Sequence, residues 1–356
     1  MRTSCHTAPV TTAPRKGNRS RPAPTLEEVA ARAGVSRATA SRVLRADAKV
    51  SERAREAVLA AAQEISYVPN LAARTLVTGR SESLAFLVEE SEERMFADPF
   101  FLGMLRSAQE AVAEAGLQLV FTVMNRPEDQ DRFLSYAAGG HVDGVLLLSL
   151  HGRDQLPQRL ESLGVPTVLS GRPLSGGRRL WYVDADNVGG GELATTYLLR
   201  SGRAHVATVA GPLDMCAGQD RLAGYRSAVE ASGARYDESL VSVGDFTAAG
   251  GHDAALRLLD RHPEVDAIFA ASDLAAIGVV RALQESGRRV GDDVAVIGFD
   301  DIPAAADQQP PLSTIKQPIA ALGTAMTRLL LDRIEGRRGL NRRTVLPVEL
   351  VLRATA

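Results

Sequence analysis

The sequence predicts an α/β protein of two doubly wound lobes, preceded by a small all-α unit with a helix-turn-helix. Three observations predict it. Residues 25–65 read as three short helices with a glycine in the first turn between them. Residues 82–300 alternate short apolar runs with amphipathic helical stretches. The charge is also divided: the 356 residues carry 41 Lys+Arg against 43 Asp+Glu, a net −2, yet residues 1–80 hold 14 bases against 6 acids and the remainder 27 against 37. A basic head on an acidic body points to nucleic acid or an anionic membrane surface.

Several classes fall away. Two cysteines, Cys5 and Cys216, are too few for a disulfide framework and lack the spacing of a zinc site. No apolar run approaches the roughly 18 residues of a membrane helix. Residues 1–24 hold five basic residues and no acid, without the apolar core of a signal peptide. They read as a disordered basic tail, or as a start assigned upstream of the true one, and the protein is expected to be cytoplasmic. GxSxG, P-loop and HExxH motifs are absent, so neither catalytic residue, metal nor cofactor is expected.

The helical unit spans 25–69. Thr25 and Glu28 have the spacing of a capping box, and Leu26, Val29, Ala30 and Ala33 fall on one face behind it. Gly34 tolerates the left-handed turn that ends this helix. Ser36 can cap a second helix with an apolar stripe of Ala40, Val43 and Leu44. Ser51 can cap a third, with Val58, Ala61, Ala62 and Ile65 inside. In such a unit the second helix enters the major groove N-terminus first. Arg37 and Ala38 stand where base edges are met: Arg donates two bonds to guanine, and a small Ala fits a thymine methyl. Thr39, Ser41, Arg42, Arg45 and Lys49 suit phosphate contact. A small helical bundle with solvated arginines is the plainer alternative.

Thr25 to Leu76 closely resembles the DNA-binding region of the LacI/GalR family. The match is carried by VA-x-x-AGVS, SRVL around Arg42, Val50–Ser51, Tyr67-x-Pro69-Asn70 and the A-x-x-L from Ala73 to Leu76. It implies that 70–81 hold a hinge helix and linker, and that Leu76 wedges into a minor-groove step. Thr25, Ser36, Tyr67, Asn70 and Ala73 then join the DNA-facing set. The chain departs from the family pattern at Arg45, usually Asn, and at Ala40, usually Val.

In the body (82–356), apolar runs at 84–88, 117–123, 144–149, 166–170, 181–183, 206–210, 240–244, 267–271 and 294–299 read as strands. Helical patterns lie between them, at 102–115, 188–199, 221–231, 248–259 and 274–285 among others. Continuous apolar strands alternating with helices imply parallel sheets covered on both faces. Ligands of such lobes sit beyond the carboxyl ends of the strands, and two facing lobes make a closing cleft. The body also resembles the periplasmic-binding-protein type I core. That resemblance implies three crossings, with lobe one at about 82–182 plus 317–341 and lobe two at about 183–314 plus 342–356.

Asp300 and Asp301 close the buried run VAVIGFDD, Asp273 follows IFAAS, Arg221 reads as a helix start, and Phe246 follows a strand. Carboxylates accept paired sugar hydroxyls, Arg donates to ring oxygens, and an aromatic face stacks on a sugar. The resemblance places Arg221, Phe246, Ser272, Asp273 and Asp300 on the effector, with Phe100 from the other lobe and Gln317 near the hinge. Ser272 and Gly171 depart from the Asn and Asp usual there, so no single sugar carries over. Gly189-Gly190-Gly191-Glu192-Leu193-Ala194 fits G-x-G-x-x-A, but Asp184 and Asp186 before it would repel a pyrophosphate. Glycines for close helix packing are the better reading.

The expectation is a transcription regulator, in this family most often a repressor. It binds near-palindromic operator DNA as a homodimer or higher oligomer and answers to a small molecule, with a sugar favoured over a nucleoside or nucleobase. A transport-type sugar-binding protein, or an oxidoreductase or kinase on the same lobes, are the rivals. The first needs a signal peptide where this chain has a helix-turn-helix; the second needs a phosphate loop or catalytic base, and the sequence shows neither.

Overall fold

The computed structural model describes residues 24–44, 50–68, 79–152, 154–174 and 179–356. The chain divides into two units, one ending at Thr78 and the other beginning at Gly79.

The first unit is the trihelical one. Helix α1 (Leu26–Arg32) opens on the expected capping box, with Glu28 N–H donating to the Thr25 hydroxyl and Thr25 N–H to the Glu28 carboxylate. Gly34, at φ +64°, makes the turn into α2 (Arg37–Leu44). The Ser36 hydroxyl accepts the Thr39 N–H at 3.1 Å, capping α2. Ser51 precedes α3 (Glu52–Glu64) but its side chain makes no cap bond. Val29, Ala30, Ala40, Val43, Val58, Ala61 and Ala62 bury together as this unit's own core.

The second unit begins with β1 (Ser83–Glu89), α4 (Glu92–Ala97), α5 (Pro99–Glu114), β2 (Gln118–Met124) and α6 (Pro127–Ala138). It continues with β3 (Gly144–Leu148), α7 (Leu156–Ser162), β4 (Thr167–Ser170), β5 (Trp181–Ala185) and α8 (Asn187–Arg200). Then come β6 (Val206–Ala210), α9 (Cys216–Ala231), β7 (Val241–Val243), α10 (Ala248–Arg261), β8 (Ala267–Ala270), α11 (Asp273–Glu285) and β9 (Ala295–Asp300). It closes with α12 (Pro303–Asp307), β10 (Ser313–Lys316), α13 (Ile319–Ile334), β11 (Arg343–Leu346) and β12 (Glu349–Val351).

These strands form two six-stranded sheets, in the orders β11-β5-β4-β3-β1-β2 and β12-β10-β9-β8-β6-β7. The first is parallel throughout; in the second only the β12–β10 pair is antiparallel. The central strands are apolar along their length, as burial on both faces requires: Leu84–Val88 and Val145–Leu148 are fully buried.

The chain passes between the sheets three times: from β5 into α8, from β10 into α13, and from β11 into β12. Two boundaries differ from those that the resemblance implies. Residues 183–185 complete β5 in the first sheet rather than opening lobe two. Residues 343–346 pair with β5, so β11 also belongs to the first sheet, and only β12 reaches the second. Pro347 lies between these strands, and a residue without an N–H interrupts a ladder.

Glycines let α8 lie against α9 and the second sheet. A Cβ on Gly190 would stand 2.5 Å from Phe299, and one on Gly191 2.4 Å from the Arg221 carbonyl. The G-x-G-x-x-A segment is thus a packing surface.

Candidate ligand cleft and nucleic-acid interface

On the helical unit, Ser36, Arg37, Ala38 and Arg42 are exposed along α2 and its entry, with Thr39 and Ser41 half-buried beside them. Thr25 is exposed but its hydroxyl is engaged in the cap, and Tyr67 packs against the trihelical core. Arg37 Nε lies 2.8 Å from Glu27, with both side chains mostly in solvent (71% and 61% exposed). An ion pair this open contributes at most about 1 kcal/mol and gives way easily to a phosphate or a base. Arg45, Lys49, Asn70, Ala73 and Leu76 lie outside the described residues.

In the body the carboxyl ends of both sheets border a cleft with about 830 Å³ of empty space open to solvent. The first lobe contributes Arg94, Asp98 and Phe100 from α4 and α5, and Ser149, Gly171, Arg172 and Asp184 from strand ends. The second contributes Met215, Cys216, Arg221, Phe246, Ser272 and Asp300, with Gln317 at a crossing.

Arg221 organises the floor. Its helix starts at Cys216, so Arg221 sits in the second turn rather than at a helix start, and Cys216 opens the helix rather than lying in a loop. The buried guanidinium donates to Asn187 Oδ1 at 2.9 Å, to the Ala271 carbonyl at 2.5 Å and to Asp300 Oδ1 at 3.5 Å. It lies 3.7 Å from the centre of the Phe299 ring. Gln317 Nε2 donates to the same Asp300 oxygen at 2.5 Å. Asp300 ends β9 at φ +123°, a strained placement that turns its carboxylate toward Arg221. Burial pushes the Asp300 carboxyl up, and Arg221 pulls it back toward the charged form.

Phe246 also sits in the left-handed region, at φ +67°, and two cations lie over its ring: Arg94 at 5.3 Å and Arg221 at 5.5 Å from its centre. Gly211 makes room, since a Cβ there would stand 2.2 Å from the ring. Ser272 donates its hydroxyl to the Phe246 carbonyl and caps α11, which leaves Oγ largely committed to structure.

Asp273 is a correction. It is fully buried and absent from the cleft wall. Its carboxylate accepts the Thr314 hydroxyl and the Ile302 N–H, beneath Gly298, where a Cβ would stand 2.3 Å from it. It ties α11 to β10 and the loop after β9. Asp301 likewise turns aside, accepting from Arg353 at 2.6 Å.

The cleft also holds residues that sequence reasoning missed. Arg94 pairs with buried Glu90 and faces Phe246. Asp98 caps α5 through the Phe100 N–H, and its carboxyl is raised by burial. Asn187 joins Arg221 to Asp184. The signal for Asp98 was available: Asp before Pro99 is a cap ahead of a first-turn proline. Nothing local marks Arg94 or Asn187. Burial lifts the Cys216 thiol to about 11, leaving it protonated at neutral pH.

Two ion pairs join the lobes at the rim. Arg172, after β4, reaches Asp220 on α9 at 2.5 Å. His151, after β3, lies 2.9 Å from Asp214 of the second lobe and 3.0 Å from Glu90 of the first. Hydrogen bonding to Glu90, ahead of the opposing effect of burial, raises His151 from 6.5 to about 9. Burial would raise Glu90, but His151, Arg94 and Ser149 together hold it low. A raised histidine contributes its full stabilisation below pH 6.5 and loses it as pH climbs toward 9. The melting temperature of the body is therefore expected to fall between pH 6.5 and 9. His151→Gln should flatten that slope, and an unchanged slope in the variant would remove the bridge from the account.

Protein-family models match the chain twice: "Bacterial regulatory proteins, lacI family" over residues 25–70, and "Periplasmic binding protein-like domain" over 195–356. The HTH-type transcriptional regulator CelR of Thermobifida fusca is 50% identical over 92% of this chain and 95% of its own length. The ribose operon repressor of Escherichia coli K12 is 35% identical over 87% of this chain and 93% of its own. A solved complex of CelR with cellobiose superposes at TM-score 0.76 and 47% identity, covering 94% of this chain and 100% of that one. The lac repressor dimer bound to operator and the anti-inducer ONPF superposes at TM-score 0.81 and 28% identity, covering 94% and 99%.

Proposed function

We infer the function from one premise: this chain belongs to the lacI family of bacterial regulatory proteins. It is a DNA-binding transcription regulator whose body senses a small effector. The effector we propose is cellobiose or a short cello-oligosaccharide. The observation that carries this is the Arg221–Asp300–Gln317 floor beneath an aromatic wall, in a chain 50% identical to a regulator of which a cellobiose complex is known. Charged donors and acceptors at the floor suit hydroxyls, and Phe246 and Phe100 suit the apolar face of a pyranose.

The chain acts in the cytoplasm as a homodimer on a near-palindromic operator, by binding and without a catalytic step. Arg37 and Ala38 read bases; Ser36, Thr39, Ser41, Arg42, Arg45 and Lys49 hold phosphates; the segment from Asn70 through Ala73 to Leu76 enters the minor groove. Effector binding favours one spacing of the lobes, and operator affinity follows from the difference in effector affinity between the two states.

The test is an operator-binding titration with cellobiose, ribose and a purine base, paired with thermal shift, since a true ligand raises stability by mass action. Cellobiose is expected to raise the melting temperature and change operator affinity. A response to ribose or the purine base alone would overturn the effector assignment. In the same assay Arg37→Ala should relax preference at one base position by about 1–3 kcal/mol, whereas Lys49→Ala should weaken binding to all sequences and reduce the salt slope by about one. An unchanged selected motif with Arg37→Ala would remove its base-reading role.

A further inference from the structure

We propose that Asp184 is the first lobe's anchor for a ligand hydroxyl and determines which hydroxyl arrangement the cleft accepts. This rests on the sugar reading above and adds a residue to it.

Asp184 stands near the carboxyl end of β5, where parallel sheets present groups to ligands, and it faces the cleft beside Ser170, Gly171 and Arg172. Both carboxylate oxygens are oriented by the protein. Oδ2 accepts the Arg172 N–H at 2.9 Å, and Oδ1 accepts the Asn187 amide at 2.9 Å. A carboxylate has about four acceptor sites, so roughly one per oxygen remains for a ligand. The group has no ion-pair partner among the described residues: the Arg172 guanidinium goes to Asp220, and that of Arg221 to Asn187, Ala271 and Asp300. Burial raises its carboxyl to about 6, a desolvation cost that a donating hydroxyl would offset.

The neighbouring backbone leaves the space for that hydroxyl. Gly171 adopts φ +90°, a conformation side chains avoid, and contributes none. A Cβ built there would meet only Asp184 Oδ1, at 3.9 Å, with nothing else within 4 Å. The acceptor therefore borders open space over a bare stretch of main chain.

Asp184 is also one end of a polar line across the cleft. Asn187 donates to Asp184 and accepts from Arg221, Arg221 donates to Asp300, and Gln317 donates to Asp300. A ligand held by Asp184 in one lobe and by Arg221 and Asp300 in the other contacts both ends only when the lobes are together. That is the differential affinity a switch requires. Hydroxyl recognition by an oriented, half-buried acceptor also discriminates, because the analogue lacking the hydroxyl leaves the carboxylate's remaining lone pairs unmet.

The experiment uses the full chain, calorimetric titration with cellobiose, ribose and glucose, and then a set of monodeoxy cellobioses. Asp184→Asn, close to isosteric, is expected to weaken cellobiose binding about 10- to 100-fold. Its NH2 must face either the Arg172 N–H or the Asn187 amide, so the melting temperature should also drop slightly, and the deoxy analogues separate that loss from the lost ligand contact. One deoxy analogue should lose a similar factor against the wild-type chain and lose nothing further against Asp184→Asn, as coupled partners do in a double-mutant cycle. If wild type binds cellobiose and Asp184→Asn binds it equally, the Asp184 assignment fails while the sugar reading stands. The assignment fails in the same way if each deoxy analogue loses the same factor against both proteins. If wild type binds none of the sugars, the sugar reading fails and Asp184 falls with it.

Discussion

Arg221→Ala is expected to abolish the effector response while operator binding persists. Arg221 is buried, and its removal strands three acceptors: Asn187 Oδ1, the Ala271 carbonyl and the Asp300 carboxylate. Breaking one half of a buried pair costs about 3–5 kcal/mol, because the remaining charge stays desolvated and unpaired. Applied to ligand binding, that is a loss of at least 100-fold, and Asp300 would take up a proton to escape part of it. The trihelical unit has its own core and shares none of these residues, so its affinity for operator should survive. Isothermal titration with cellobiose and a gel shift without it separate the two effects. A variant that still responds normally would show that the cleft floor is not the effector site. Arg221→Lys keeps the charge but cannot reproduce the branched set of donors, so rescue should be poor.

Gly191→Val is expected to produce the second large effect, on stability first. The Cβ would stand 2.4 Å from the Arg221 carbonyl, and on the facing helix a Cβ on Gly224 would meet the Val188 carbonyl at 2.2 Å. The helices α8 and α9 thus touch backbone to backbone, and backbone cannot rotate aside. Leaving glycine gains helix propensity of under about 1 kcal/mol. Overpacking costs about 1–3 kcal/mol or more, so the net is destabilising. With a net cost of about 1–2 kcal/mol, at about 2–4 °C per kcal/mol the melting temperature should fall by roughly 2–8 °C. Because Arg221 rides on the displaced helix, effector affinity should fall too. A valine variant with unchanged melting and affinity would mean that the helices separate without cost.

Much of this is legible in the sequence. The capping box of Thr25 and Glu28, the turn at Gly34 and the stripes of Val29, Val43 and Val58 define the trihelical unit through local chemistry alone. Strands β1 to β9 are apolar enough to stand out within a residue or two of their observed ends, whereas β10, β11 and β12, short and in part exposed, do not read as strands. The start of α9 was harder. Cys216 follows Met215, which offers no capping oxygen, and Gly218 interrupts the pattern, so the helix surfaced in sequence only at Arg221. Asp273 misled because a position at a strand end does not reveal which way a carboxylate turns: Thr314 and Ile302, 41 and 29 residues away, draw it inward. Arg94 and Asn187 are not marked in the sequence, and Asp184 reads there only as a carboxylate ahead of the glycines, because the cleft assembles from many separated segments and no window of sequence contains it.

The three passages between the sheets have a mechanical consequence. β5 and β11 are neighbours at one edge of the first sheet, and β10 and β12 are neighbours at one edge of the second. The tethers therefore run side by side rather than at opposite margins. Two rigid bodies joined by one flexible strap keep nearly all of their six relative degrees of freedom. Three parallel straps resist shear and separation, leaving mainly a swing about the line they define. A molecule so constrained moves along one coordinate, so whatever a bound effector does in the cleft is expected to appear as a swing of one lobe about those straps, like a door on its pins.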